Sequence, residues 1–216
     1  MNKNPHLAYT SIVPEIKGNS SIRRVIILLH GYGSNMKDLA SLSEYIEDDD
    51  NLYVSINAPI KLVDFGAQSF AWFEIGPIED MEQRKYSVQK STDLILNTIN
   101  HIINVFNTDS TPIVLAGFSQ GGMMAMNIAL TSDQKFDGVA ALSSRLITNP
   151  SNKINNLNFF ISHGTKDNVI DISEGHNTRD LLEKYGHNVK YKEYDMGHEI
   201  SADCLTDFTI WLKSIN

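Results

Sequence analysis

The chain has 216 residues, 42% of them hydrophobic and 20% charged, with a formal net charge of −8. That length and mixture fit a single domain over 1–216 with a sizeable core, and the acidic balance without clustered Lys or Arg excludes nucleic acid as a partner. Cys204 is the only cysteine, which rules out an internal disulfide; with no signal-like leader and no apolar run near about 18 residues, the expectation is a cytoplasmic protein.

In chain order, "LAYTSIV" (7–13) alternates and predicts an antiparallel edge strand, while "RRVIILL" (23–29) is apolar throughout and predicts a buried one. Helical spacing follows over 36–48, closing on the acidic run Glu47-Asp48-Asp49-Asp50, which reads as a solvated helix end. The strand "LYVSIN" (52–57) leads into 58–85, a long stretch without periodicity that carries Phe65, Phe70, Trp72 and Phe73. Unpatterned stretches of that length in a compact domain are often functional, and this one is expected to be a substrate-side flap.

A helix is predicted over 86–106, then the strand "PIVLAG" (112–117), a helix over 120–132 and the strands "DGVAAL" (137–142) and "LNFFIS" (157–162). A helix over 172–186 has an Asp or Ser cap available and Gly186 as its stop; "VKYKEYD" (189–195) and a helix over 201–214 complete the chain. This alternation predicts an α/β fold, a mostly parallel sheet with helices on both faces.

The chemistry begins at the junction between the strand at 112–117 and the helix after it, where Gly117-Phe118-Ser119-Gln120-Gly121 matches G-x-S-x-G. A serine on so sharp a corner has a strained backbone, and the positions two residues either side must be small. The pentapeptide is a weak signal alone, but here it follows an apolar strand and opens a helix. The phosphate-loop and dinucleotide patterns fail, since no Lys-Ser/Thr follows "GFSQGG" and "GYGSNM" lacks the third glycine.

A serine hydroxyl needs a histidine to take its proton and a carboxylate to orient that histidine, and in such folds the chain order is Ser, acid, His. Asp167 lies in the loop after the strand at 157–162, and His198 lies beyond the last strand. Asp171 competes as the acid but begins a helix and reads as a cap. His163 has the wrong order and reads as a loop brace, His30 as structural, and His6, His101, His176 and His187 as solvated or packed. The oxyanion hole requires two backbone amides. Gln120, after the nucleophile, supplies one, and Tyr32, in the glycine-bearing "HGYG" loop after the strand at 23–29, is the choice for the other.

Taken together, "LLHGYG", "NAP" (57–59), "WFE" (72–74), "GFSQGG", "HGTKD" (163–167) and "GH" (197–198) resemble the phospholipase/carboxylesterase family of α/β hydrolases, which includes acyl-protein thioesterases and lysophospholipases. The motifs run in the family's order over nearly the whole chain. The resemblance implies the α/β-hydrolase fold, Ser119 as nucleophile, Asp167 as orienting acid, His198 as base, and the Tyr32 and Gln120 amides as oxyanion hole. It implies no metal or organic cofactor and an acyl chain received beside 58–85, with Phe65, Phe70, Trp72 and Phe73 as the candidate lining. Two departures stand out: Ser34 follows the His-Gly-x-Gly turn where thioesterase members have Asp, and Ser144-Arg145 replaces a region that often holds a Trp.

The expected function is a serine carboxylesterase acting on oxygen esters or thioesters of medium to long acyl chains through an acyl-enzyme. Lysophospholipase or acyl-protein thioesterase action is the alternative main activity, and a dienelactone-hydrolase chemistry is disfavoured because that group places Cys at the elbow. From another class, the fold could serve as a non-catalytic binding module, though such proteins usually lose a triad member. The expected partner is a small-molecule or lipid-like acyl ester, with room left for transient contact with a membrane surface and for a homodimer.

Overall fold

The structure is a computed structural model that describes residues 6–15, 21–46, 50–75, 81–150 and 156–215. The predicted helix end at 47–49 and part of the predicted flap, 76–80, lie outside the described residues. In chain order the strands are β1 (Tyr9–Ile12), β2 (Arg24–Leu29), β3 (Asn51–Ile56), β4 (Ile60–Lys61), β5 (Phe70–Ala71), β6 (Ile113–Phe118), β7 (Gly138–Leu142), β8 (Asn158–Gly164) and β9 (Asn188–Tyr194). The helices are α1 (Met36–Ala40), α2 (Met81–Phe106), α3 (Gln120–Thr131), α4 (Ile172–Lys184) and α5 (Ala202–Ser214).

Seven strands make one sheet in the order β1-β3-β2-β6-β7-β8-β9, parallel except for β1, which pairs antiparallel with β3 at the edge. Every residue of β2 and β3 is buried, as apolar runs without alternation require when both faces are covered. The alternate residues of β2 divide between two cores. Val25, Ile27 and Leu29 pack with α2, α3 and Leu182 of α4, whereas Ile26 and Leu28 pack with Leu39 of α1 and with Phe208, Trp211 and Leu212 of α5. The outer edge strand β9 is only half-buried.

From β2 the chain steps outward to β3 and then crosses back to β6 on the other side of β2. At such a reversal the connections after the two strands diverge and leave a crevice at their carboxyl ends, where ligands bind in open α/β sheets. The loop holding Tyr32 follows β2 and Ser119 follows β6, so both residues fall at this point.

Three local expectations differ from what forms. The predicted 36–48 helix is α-helical only over Met36–Ala40 and tightens into a 3-10 turn at Ser41–Glu44, because the hydroxyls of Ser41 and Ser43 donate back to the carbonyls of Asp38 and Ala40. Helix α2 begins at Met81, five residues before the predicted start, since its first turn is mostly polar and buries no residue, and so carries no apolar stripe. The unpatterned 58–85 stretch is not structureless: Ile60–Lys61 pairs with Phe70–Ala71 as a small antiparallel hairpin.

Phe208 is buried at 1% exposure and its ring meets Phe160 and Trp211 at 5.8 and 5.9 Å between centroids. Truncation there leaves a cavity that α5 and the sheet cannot both close. Phe208→Ala is expected to cost about 3–5 kcal/mol, read as a lower midpoint in urea unfolding.

Candidate active site

Ser119 joins β6 to α3 with φ 52° and ψ −118°, a conformation that non-glycine residues adopt only when their surroundings compel it. The compulsion is backbone contact. A Cβ on Gly117 would lie 2.3 Å from the backbone of Gly121, and one on Gly121 would lie 1.9 Å from the Leu29 carbonyl oxygen. Ser119 makes no side-chain cap bond to α3, so its hydroxyl is left to other partners. The hydroxyl of Ser144 donates to the Ser119 carbonyl at 2.7 Å, in space that a Cβ on Gly122 would fill.

His198 Nε2 stands 2.9 Å from Ser119 Oγ, and His198 Nδ1 stands 2.7 Å from Asp167 Oδ2. A carboxylate only accepts, which fixes the proton on Nδ1 and leaves the Nε2 lone pair facing the serine hydroxyl. The other oxygen of Asp167 accepts from the amides of Val169 and Ile170, each at 2.9 Å. Burial pushes the Asp167 carboxyl up, but the bond from His198 and those two amides outweigh it and hold it below the usual range. Asp171 stands apart, capping α4 through the Ser173 amide at 2.9 Å.

The remaining histidines have other partners. His30 is buried; its Nδ1 donates to Gly31 O at 2.8 Å and its Nε2 accepts from Ala58 N at 3.1 Å, and burial lowers its pKa, so it is neutral. His163 donates through Nε2 to Ile170 O at 2.8 Å and lies 3.5 Å from Asp167 Oδ2, bracing the loop of the acid. His6 stacks on His101, His176 pairs with Glu193, and His187 packs edge-on to Phe159.

Gln120 opens α3, whose first-turn amides have no intrahelical acceptor. Like Tyr32, Gln120 borders the same cleft as Ser119. Its side chain has a second task that sequence reasoning missed. Gln120 Oε1 accepts from Trp72 N and its Nε2 donates to Phe73 O, both at 2.8 Å, clamping the 72–73 backbone onto the elbow. The same segment is tied to the β2 loop, with Gly33 N donating to Phe70 O and Phe70 N to Ser34 O at 2.9 Å.

The cleft measures about 740 Å³. Of the aromatic residues expected to line it, Phe73 does so, and Phe70 and Trp72 do not. Trp72 is fully buried and donates its indole N–H to the His30 carbonyl, which makes it an anchor; Phe70 packs against the core; the Phe65 side chain lies outside the described residues. The apolar wall comes instead from Leu39, Leu42, Met123, Ile170 and Ile200. Three of these follow a site residue within four positions, a proximity the sequence did display. At the first departure, the Ser34 hydroxyl donates to Asp38, which also borders the cleft. Among the described residues no group of His, Cys, Asp or Glu is arranged to hold a metal ion, and no helix is long and apolar enough to cross a membrane.

A mostly parallel sheet covered on both faces, with a serine corner at its switch point, defines an α/β hydrolase, and the chain is a hydrolytic enzyme. It belongs to the phospholipase/carboxylesterase family, whose sequence profile matches residues 12–216. It is 32% identical to acyl-protein thioesterase 1 of Candida albicans over 91% of this chain and 94% of that one, and 29% identical to acyl-protein thioesterase 1 of Neurospora crassa over 91% and 89%. In fold it is similar to the Bacillus cereus carboxylesterase, with a TM-score of 0.80, 19% identity and coverage of 98% of this chain and 95% of that one.

Gln120→Ala leaves the buried Trp72 amide and Phe73 carbonyl without their partner and is expected to cost about 1–3 kcal/mol in denaturant unfolding. Asp167 has a folded pKa below its unfolded one, so its contribution to stability is present above the unfolded pKa and lost as pH falls through the folded one. The stability gap between the wild type and Asp167→Asn is therefore expected to be widest above about pH 5 and to narrow below about pH 4, as followed by thermal melts across that range.

Proposed function

We propose that this hydrolase is a serine carboxylesterase that cleaves oxygen esters or thioesters of medium to long acyl chains through an acyl-enzyme on Ser119. The observation that carries the reading is the hydrogen-bonded line from Ser119 Oγ through the His198 ring to Asp167, at 2.9 and 2.7 Å, at the edge of a deep cleft.

In this mechanism Ser119 Oγ attacks the ester carbonyl carbon as its proton passes to His198 Nε2. Asp167 holds the ring in the tautomer that can accept and stabilises the imidazolium. The charge on the carbonyl oxygen is met by the Tyr32 and Gln120 amides. The intermediate collapses as His198 returns the proton to the departing alcohol or thiol, and water activated by the same histidine then releases the acid.

The acyl chain occupies the apolar part of the cleft, and residues 70–75 of the predicted flap form one side of it through Phe73 and Ile75. Each buried methylene adds about 0.8 kcal/mol of binding. Acyl-protein thioesterase action is the second reading, favoured by the names of the Candida albicans and Neurospora crassa relatives; lysophospholipid hydrolysis is its variant for lipid-like esters. A substrate of either kind is a small acyl ester or an acyl group presented at a surface.

Ser119→Ala is expected to abolish p-nitrophenyl ester hydrolysis and labelling by a fluorophosphonate while the circular dichroism spectrum is kept. Retention of more than a few per cent of turnover overturns the assignment. Asp167→Asn is expected to lower kcat by up to about 10⁴-fold and Asp171→Asn only slightly; the opposite ranking moves the acid to Asp171. For wild type, kcat/KM is expected to rise from acetate to octanoate esters. Leu42→Ala is expected to flatten that slope, and an unchanged slope places the acyl chain elsewhere.

A further inference from the structure

The second departure from the family pattern puts an arginine in the wall of the cleft that Ser119 borders. Arg145 sits three residues beyond the end of β7 and one beyond Ser144, whose hydroxyl holds the Ser119 carbonyl. It is half-buried, and its neighbours in the cleft wall include Phe73 and Met123. None of the ion pairs formed among the described residues includes it. A partly desolvated charge without a counter-charge is unfavourable unless something else supplies one.

Arg145 also faces a side pocket of about 290 Å³, which shares Phe73, Arg84 and Arg145 with the main cleft. Lys85 also lines it, paired at 2.7 Å with exposed Glu82, and no Asp or Glu lines the pocket itself among the described residues. Its remaining polar wall is neutral and already ordered: the Thr148 hydroxyl donates to Asn127, and Asn127 Nδ2 donates to Thr92 at 3.0 Å. The main cleft has two acids, Asp38 and Glu199, but they come from α1 and the loop after β9. In a chain of net charge −8, Arg145 is a cation bordering both cavities that no ion pair among the described residues neutralises. A guanidinium fork matches carboxylate and phosphate oxygens in pairs.

We infer that the side pocket is an anion subsite, with Arg145 as its specificity-determining residue, and that the preferred esters carry a carboxylate or phosphate at the end remote from the scissile carbonyl. The catalytic half of this inference rests on Ser119 and His198 acting as proposed; the binding half does not. The anion can belong to the acyl group, as in the half-ester of a dicarboxylic acid, or to the alcohol, as in a phosphorylated glycerol.

The test compares kcat/KM for mono-p-nitrophenyl adipate against p-nitrophenyl hexanoate, and for lysophosphatidic acid against monoacylglycerol, in wild type, Arg145→Gln and Arg145→Lys. A preference for the charged member of either pair, falling roughly tenfold or more in Arg145→Gln and less in Arg145→Lys, supports the subsite, and the responding pair tells which side of the ester bears the charge. Binding of adipate and of glycerol 3-phosphate to Ser119→Ala, followed by calorimetry, tests the subsite without turnover, with Ser119→Ala/Arg145→Gln as the control expected to lose the heat. If wild type favours neither charged ester and Ser119→Ala binds neither anion, the subsite does not exist. If Arg145→Gln lowers charged and neutral esters by one factor, Arg145 does not read the charge. Anion binding to Ser119→Ala without ester hydrolysis by wild type keeps the subsite and overturns the esterase reading alone.

Discussion

The first turn of α3 lies directly on the end of β2, backbone against backbone, with no room for a side chain at Gly121 before the Leu29 carbonyl is struck at 1.9 Å. Much of the site depends on that contact. It forces the chain to turn at Ser119 within one residue, at a positive φ. It also brings the loop after β2 alongside the start of α3, so that Tyr32 and Gln120 border one cleft although 88 positions separate them. The strain is borne by a parallel sheet whose central strands are buried on both faces, a setting too closely packed to relax around it.

From the same corner, the Gln120 side chain reaches outward and holds the backbone at 72 and 73, accepting from one amide and donating to one carbonyl. Trp72 anchors that segment to the His30 carbonyl, and Ser91 of α2 donates to the Trp72 carbonyl. One side of the cleft is thus fixed by the residue that directly follows Ser119. Ser119, the start of α3 and this wall are joined by one set of hydrogen bonds, the kind of fixed arrangement that electrostatic stabilisation of a developing charge calls for.

Much of this was legible because parallel strands impose simple rules. Strands buried on both faces must be apolar throughout, as β2 and β3 are, and functional loops must follow strand ends, which singled out Asp167 and His198 from many acids and seven histidines. What was not legible lacked a period. Strands two residues long, like β4 and β5, show no alternation, and Ser41 and Ser43 divided a helix through hydroxyl bonds that spacing alone does not reveal. The aromatic residues of 58–75 stood out by composition, yet Trp72 proved to be an anchor. Contacts such as Gln120 to Phe73 span 47 positions, and nothing in either local sequence announces the other.

The half-buried strand β9 has a bearing on how copies of this chain meet. A sheet that stops leaves a row of unsatisfied backbone groups, and a second chain can add to it as another strand. On β9 that row is flanked by Lys190, Lys192 and Glu193, with Lys192 reaching Asp207 at 3.4 Å and Glu193 held by His176 at 2.6 Å. An approaching strand would have to part these pairs, and a second β9 would bring lysine toward lysine. At the opposite edge β1 offers four residues, too short a template to nucleate an extension. Continuous strand addition, the route from native sheet to fibril, is closed at both ends by charge on one side and brevity on the other.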